Sequence, residues 1–231
     1  MTSTHQSFLF DVTDAEQFIY ECVSPYTMTS IERIISLTRA VQYVIQNNFP
    51  GDFVECGVWR GGSMMAVALT LMDLGVVDRQ LFLYDTFSGM SQPSSHDQQF
   101  DGTPAATLLE TSPRDSHVWA DASLEDVKQN VLATGYPTEQ IRFIQGKVED
   151  TIPQVMPSEI CLLRLDTDWY ESTKHELLHL YPRLVKNGIL IIDDYGHWQG
   201  AKTATDEYFA QQTPAPFLHR IDYTGRLVVK I

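Results

Sequence analysis

Apolar positions along this chain follow two patterns, and their alternation outlines a layered architecture. Ile31, Ile34, Ile35, Val41, Val44 and Ile45 recur at helical spacing, which predicts a helix with one apolar face from residue 31 to about 48. Thr29 and Glu32 stand at its start with capping-box spacing, and Pro50-Gly51 closes it. The second pattern is the unbroken apolar run, at 53–56, 81–84 (LFLY), 141–145 (IRFIQ), 160–165 (ICLLRL) and 189–192 (ILII). Continuous runs, unlike alternating ones, suit strands covered by helices on both faces. Helical stretches at 64–75 (MMAVALTLMDLG, with Gly75 as the stop), 123–134 and about 172–186 supply that cover. The expected fold is α/β, a doubly wound, mainly parallel sheet. The tail FLHRIDYTGRLVVKI reads as two extended runs joined by a turn at Thr224-Gly225, an antiparallel pair at one sheet edge.

Composition narrows this picture. A chain of 231 residues with 43% hydrophobic and 20% charged content fills one sizeable core, so 1–231 is read as a single domain with 1–50 as an N-terminal helical cover. Between the second strand and the 123–134 helix, residues 86–122 form a polar stretch too long for an ordinary connection. Either a lid or disorder fits; its departure from the carboxyl end of a strand, where open α/β sheets bind ligands, favours a lid. The formal charge of −14 provides no broad cationic surface for nucleic acid. Cys22, Cys56 and Cys161 form no CxxC pair, so neither disulfides nor zinc are expected. With no basic leader ahead of an apolar core and no run of eighteen apolar residues, the expectation is a soluble, cytoplasmic protein without membrane contact.

Candidate chemistry begins where the first strand empties into Glu55-Cys56-Gly57-Val58-Trp59-Arg60-Gly61-Gly62-Ser63. Glycines at a helix start let backbone N–H groups face a carboxylate or phosphate; a tight turn without a ligand fits equally. The spacing is neither the dinucleotide G-x-G-x-x-G nor a phosphate loop. Asp85, ending the second strand, has the position of an acid that accepts from both ribose hydroxyls. Gly146-Lys147-Val148-Glu149 follows the third strand, where backbone and Val148 can flank an adenine. Together the three segments outline an adenosine site.

The last two parallel strands end in acids. Adjacent strands bring Asp166 and the pair Asp193-Asp194 to one sheet edge, and three carboxylates with no His or Cys nearby favour a hard cation such as magnesium. Without one they would repel each other. Asp168 has two roles open to it: general base two residues beyond a ligand acid, or cap of the following helix with Glu171 in capping-box spacing. Trp169, Tyr170, His197 and Trp198 either line an acceptor pocket or simply pack. His175 and His179 share a helix face with ligand-like spacing, but Leu177, Leu178 and Leu180 favour an ordinary amphipathic helix.

Several segments together are similar to one known family. TMTS at 27–30, GDFVECGVWRGGSMMA at 51–66, LYDTFSGM at 83–90, GKVEDTIP at 146–153, LLRLDTDWYEST at 162–173 and IIDDYGHWQGAKTATDEYF at 191–209 resemble the macrocin O-methyltransferase family. Its members depend on S-adenosylmethionine and magnesium and methylate sugar hydroxyls on macrolides and related antibiotics. The resemblance implies a Rossmann-like class I methyltransferase fold with seven strands. It assigns Glu55, Gly57, Trp59, Arg60, Gly61, Gly62 and Ser63 to the methionine part of the cofactor, Asp85 and Thr86 to the ribose, and Gly146, Val148 and Glu149 to the adenine. Asp166 belongs to both the cofactor set and the metal set, the latter completed by Asp193 and Asp194, and Asp168 is the base. The expected acceptor is a hydroxylated, glycosylated small molecule, and the expected assembly a homo-oligomer. The same chemistry on a phenolic or other non-sugar hydroxyl remains an alternative, as does a binding module that keeps the cofactor without turnover.

Overall fold

A computed structural model describes residues 10–231; the first nine residues of the expected helical cover lie outside the described residues. Seven strands form one sheet in the order β3-β2-β1-β4-β5-β7-β6, where β1 is Asp52–Cys56, β2 Leu81–Asp85, β3 Ile141–Gln145, β4 Ile160–Leu165, β5 Leu184–Ile192, β6 His219–Arg220 and β7 Arg226–Val229. The first five run parallel, and β7 pairs antiparallel with both β5 and β6. The winding direction reverses between β1 and β4, the switch point beyond whose carboxyl ends open α/β sheets bind ligands.

Each central strand is buried on both sides, which is why it reads as a continuous apolar run. Phe53, Leu83, Leu162 and Ile191 face one cluster with α2 (Ile31–Gln46), α3 (Gly62–Asp73) and α1 (Asp14–Val23). Val54, Tyr84, Leu163 and Ile192 face the other, with α7 (Tyr170–His179) and α8 (Gln199–Phe209). Fully burying each such side chain contributes about 1.5–3 kcal/mol before entropy is subtracted. The remaining helices are α4 (Ala105–Thr111), α5 (Leu124–Leu132) and the one-turn α6 (Val148–Thr151).

Element boundaries depart from the sequence reading where local chemistry intervenes. Ser30, not Thr29, caps α2, its hydroxyl accepting from the Arg33 N–H at 3.3 Å. Helix α3 starts two residues early, at Gly62. Helix α7 stops at His179 rather than near 186, because Tyr181-Pro182-Arg183 forms a 3-10 turn and proline cannot continue an α-helix. The chain from Leu184 then enters β5, absorbing Lys186-Asn187-Gly188 in a bulge: Ile160 pairs Leu184, yet Leu162 pairs Ile189. The capping box open to Asp168 and Glu171 does not form. Trp169 occupies the cap position without a side-chain bond, and the Tyr170 N–H instead donates to Asp97 Oδ1 at 2.7 Å, a residue of the 86–122 segment.

One polar side chain on the buried face of α7 sets a stability expectation. Glu176 is fully enclosed, and its carboxyl oxygens accept from the Thr167 hydroxyl at 3.0 and 3.2 Å. Burial pushes its carboxyl well above the ordinary range. Below the unfolded-state value, near 4.5, both states hold the proton and the group costs nothing; as pH rises the unfolded chain ionises while the folded one resists. Glu176→Gln is therefore expected to match the wild type in urea unfolding at pH 4 and to become progressively the more stable of the two towards pH 8.

Candidate active site

Beyond the carboxyl ends of β1, β2, β4 and β5 lies a cavity of about 420 Å³, within the range of small-molecule sites. Gly57, Trp59 and Ser63 from the glycine turn, Asp85 and Thr86 from β2, Gly146, Val148 and Glu149 after β3, and Asp166, Asp168, Asp193 and Asp194 after β4 and β5 all line it. Glu55, Arg60, Gly61 and Gly62 do not reach its wall. Glu55 is buried beneath it, and Arg60 turns outward to Asp126 and the Pro25 carbonyl.

Two glycines explain how the turn is seated. Gly57 has φ +81°, and a Cβ there would lie 1.9 Å from the Asp166 carbonyl oxygen, so any side chain would drive the turn away from the acid loop. A Cβ on Gly62 would meet the Tyr26 carbonyl at 2.6 Å, and this close approach lets residues 26–29 cover the start of α3. Asp85 fastens the same turn: Oδ2 accepts from the N–H groups of Val58 and Trp59 at 2.6 and 3.1 Å, and Oδ1 from Phe87 N–H at 2.8 Å. Burial raises its pKa, and these backbone donors oppose the shift. A carboxylate offers about four lone-pair sites; three accept from these N–H groups, and the Thr86 hydroxyl lies 3.4 Å from Oδ1.

On the opposite side of the cavity is a buried charge cluster. Oxygens of Asp166, Asp193 and Asp194 lie within 4.8 Å of one another. Arg164 stands beneath them, 3% exposed in its side chain. Its Nη1 donates to Glu55 Oε1 and Asp166 Oδ2, both at 2.6 Å, and its Nη2 to Asp193 Oδ1 at 2.6 Å and the Thr29 hydroxyl at 3.2 Å. Arg33 from α2 approaches from the solvent side, with Nη1 on Asp193 Oδ2 and Nε 3.0 Å from Asp222 Oδ2. Burial pushes Asp166 up to about 6 and Glu55 up to about 8, with Arg164 opposing both shifts. Glu55, Asp166, Asp168, Asp193, Asp194 and Asp222 outnumber the two guanidinium groups. The surplus can be met by retained protons or by an added cation, and an all-oxygen donor set fits a hard divalent ion.

Asp168 sits at the centre of this chemistry with φ +65°, a left-handed conformation that aspartate tolerates better than most residues. Its N–H donates to Asp194 Oδ2 at 3.0 Å. Burial, then the neighbouring Asp166 charge, lift its carboxyl to about 7; burial raises Asp194 as well, reinforced by Asp168. Trp169 and Trp198 pack edge to face at 4.9 Å beside the loop. His197, on the cavity wall, contacts Gln99 and Tyr223, each at 3.2 Å. His175 bonds the Ile152 carbonyl at 2.9 Å and does not line the cavity.

Sequence reasoning missed Arg164, Arg33 and the cap residue Asp97. For Arg164 the signal was present as a lone cation inside the apolar run LLRL, since a charge in a strand buried on both faces needs partners. Arg164→Met leaves Glu55, Asp166 and Asp193 without their shared cation and is expected to cost about 3–5 kcal/mol, the range for stranding one half of a buried pair. Adding Glu55→Gln should recover part of that loss in denaturant melts.

With this geometry in view, comparison with known proteins is informative. The macrocin-O-methyltransferase (TylF) family model matches residues 13–230. Demethyldecarbamoylnovobiocin O-methyltransferase of Streptomyces niveus is 36% identical over 200 residues, covering 87% of this chain and 74% of its own. A Streptomyces olivaceus enzyme, 8-demethyl-8-(2,3-dimethoxy-alpha-L-rhamnosyl)-tetracenomycin-C 4'-O-methyltransferase, is 32% identical over the same shares. The solved structure of the O-methyltransferase NovP superimposes with TM-score 0.77 at 35% identity, over 89% of this chain and 82% of that one. A match running almost from end to end, on a fold whose strand ends carry these acids, leaves one assignment: the chain belongs to the macrocin-O-methyltransferase (TylF) family and is an O-methyltransferase.

Proposed function

We propose that this enzyme methylates a sugar hydroxyl of a natural product, using S-adenosylmethionine and a magnesium ion. The observation that carries the reading is the facing arrangement in one cavity of the glycine turn with Asp85 and the three clustered acids. The sugar preference draws on relatives: the tetracenomycin enzyme is named for a rhamnosyl-bearing molecule and a 4'-O position.

When bound, the cofactor supplies an electrophilic methyl group and the divalent cation supplies Lewis-acid polarisation of the acceptor hydroxyl. Asp166, Asp193 and Asp194 would hold the cation, and Asp166 would also border the cofactor. Asp85 would take the ribose hydroxyls, Val148 the adenine, and N–H groups at the start of α3 the methionine carboxylate. Methyl transfer exchanges a carbon–sulfur bond for a carbon–oxygen bond and releases the hydroxyl proton. Asp168 would accept that proton; it carries no capping duty, since Trp169 holds the cap position of α7. Residues 86–122 form the outer wall, contributing Met90, Gln99 and Leu108 to the cavity, and would act as its lid. Among the described residues no helix is long and apolar enough to cross a membrane.

A panel of glycosylated and phenolic acceptors, incubated with methyl-labelled cofactor with and without magnesium, tests the reading. Label should pass to a glycosylated acceptor only with divalent cation present; undiminished transfer after exhaustive chelation sinks the metal assignment. Asp168→Asn keeps the shape of the side chain but cannot take a proton, so turnover should fall by a factor on the order of 10²–10⁴ with cofactor affinity unchanged. Near-normal turnover would pass the proton to another group. In calorimetry, Asp85→Ala should weaken cofactor binding by about 1–3 kcal/mol.

A further inference from the structure

Asp193 is contested. Its Oδ1 is engaged by Arg164 at 2.6 Å, and Arg164 cannot leave, being enclosed and bonded also to Glu55, Asp166 and Thr29. Its Oδ2 is therefore the oxygen through which Asp193 can serve an added cation, and that oxygen is held by Arg33. Arg33 differs from Arg164 in two respects. It lines the cavity, with its side chain 12% exposed. It also has a second acceptor outside the metal acids, Asp222, whose Oδ2 lies 3.0 Å from Nε. Asp222 is itself fixed by the Thr224 and Gly225 N–H groups at 2.9 and 2.7 Å and by the Ser30 hydroxyl at 2.9 Å.

We infer that Arg33 is a positioning residue, the resident counter-cation of the metal site: it neutralises Asp193 while the metal is absent and withdraws onto Asp222 when a divalent ion takes that oxygen. The inference rests on the metal reading proposed above. Two cations competing for one carboxylate oxygen lower each other's affinity for it, so Arg33 weakens metal binding while sparing the unloaded protein an unpaired buried acid. The exchange is also mechanical. Arg33 stands in the first turn of α2, four residues after the covering residue Thr29, and Asp222 precedes Tyr223 and Thr224, so both neighbourhoods include cavity wall. Metal occupancy thus sets how the N-terminal cover and the 222–225 turn are held together.

Binding of Mn²⁺ to the full-length, cofactor-free protein, followed by electron paramagnetic resonance, tests this without an acceptor. Arg33→Gln should tighten binding by about tenfold or more, as expected for removing a unit charge a few ångström from a divalent ion. Arg39→Gln deletes the same charge from the same helix, but Arg39 pairs with Glu16 and Asp11, so its binding curve should match the wild type. Asp222→Asn should weaken binding in the wild-type background and have little effect once Arg33 is Gln, a non-additive cycle that a purely long-range charge effect would not produce. Arg33→Lys keeps the charge but cannot span both acids; it should tighten binding less than Arg33→Gln, and it serves if the glutamine variant fails to fold. Unchanged or weaker binding in the Arg33 variants, or equal effects of Asp222→Asn in both backgrounds, overturns the counter-cation role alone. Absence of Mn²⁺ binding in every protein, wild type included, overturns the metal reading and this inference together.

Discussion

A single buried guanidinium, Arg164, is the constraint on which the acid side of the cavity depends. Strand geometry puts it there. Arg164 pairs in register with Glu55 on β1 and with Ile191 on β5, and side chains two apart share a sheet face. Glu55, Arg164, Asp166 and Asp193 therefore project from the same side of the sheet, with the cation among the acids. Shifting β4 by one residue would turn Arg164 into the opposite apolar layer and strand Glu55 and Asp193 on the neighbouring strands. The register of the central strands and the electrostatics of the site are thus one requirement expressed twice. Asp194, next in sequence, points the other way, towards the Asp168 loop whose N–H it accepts. Adjacent acids at one strand end consequently serve two sides of the site.

The fold was legible in the sequence because its central strands are buried on both faces and so stand out as unbroken apolar runs. The antiparallel tail was legible for a related reason, a turn at Thr224-Gly225 between extended segments. Boundaries were less so. Helix α7 was overextended because leucines continue past His179, although Pro182 breaks the helix and the chain bulges at Asn187-Gly188. Ser30 outcompetes Thr29 as the α2 cap because Thr29 is drawn to Arg164, 135 residues away in sequence. Local pattern cannot register a partner that only tertiary structure supplies.

The acids at strand ends were legible by position; their partners were not. Arg164 lay within an apolar run read as a strand, and Arg33 within residues read as a helix. Of the two roles open to Asp168, the cap is ruled out by the structure, since Trp169 holds the cap position of α7. Asp97, 73 residues away in sequence, instead takes the Tyr170 N–H in the first turn. Within the 86–122 segment, Asp97 ties the chain to the start of α7 and also abuts Gly200 on α8, where a Cβ would lie 2.0 Å from Oδ1.

The closest constraint between the two halves of the cavity is backbone on backbone. Gly57 packs against the Asp166 carbonyl with no room for a methyl group, and the Asp166 N–H donates to the Cys56 carbonyl at 2.8 Å. The turn proposed to face the methyl donor and the loop proposed to face the acceptor are thus joined at one rigid contact, without an intervening side chain that could change rotamer. Methyl transfer needs the attacking oxygen, the methyl carbon and the departing sulfur in line, and misplacement by about an ångström can cost a factor of 10² in rate. Fusing the two walls at the β1–β4 junction holds that alignment by sheet geometry. Residues of the segments 26–33, 86–122 and 222–225 line the cavity outside this contact.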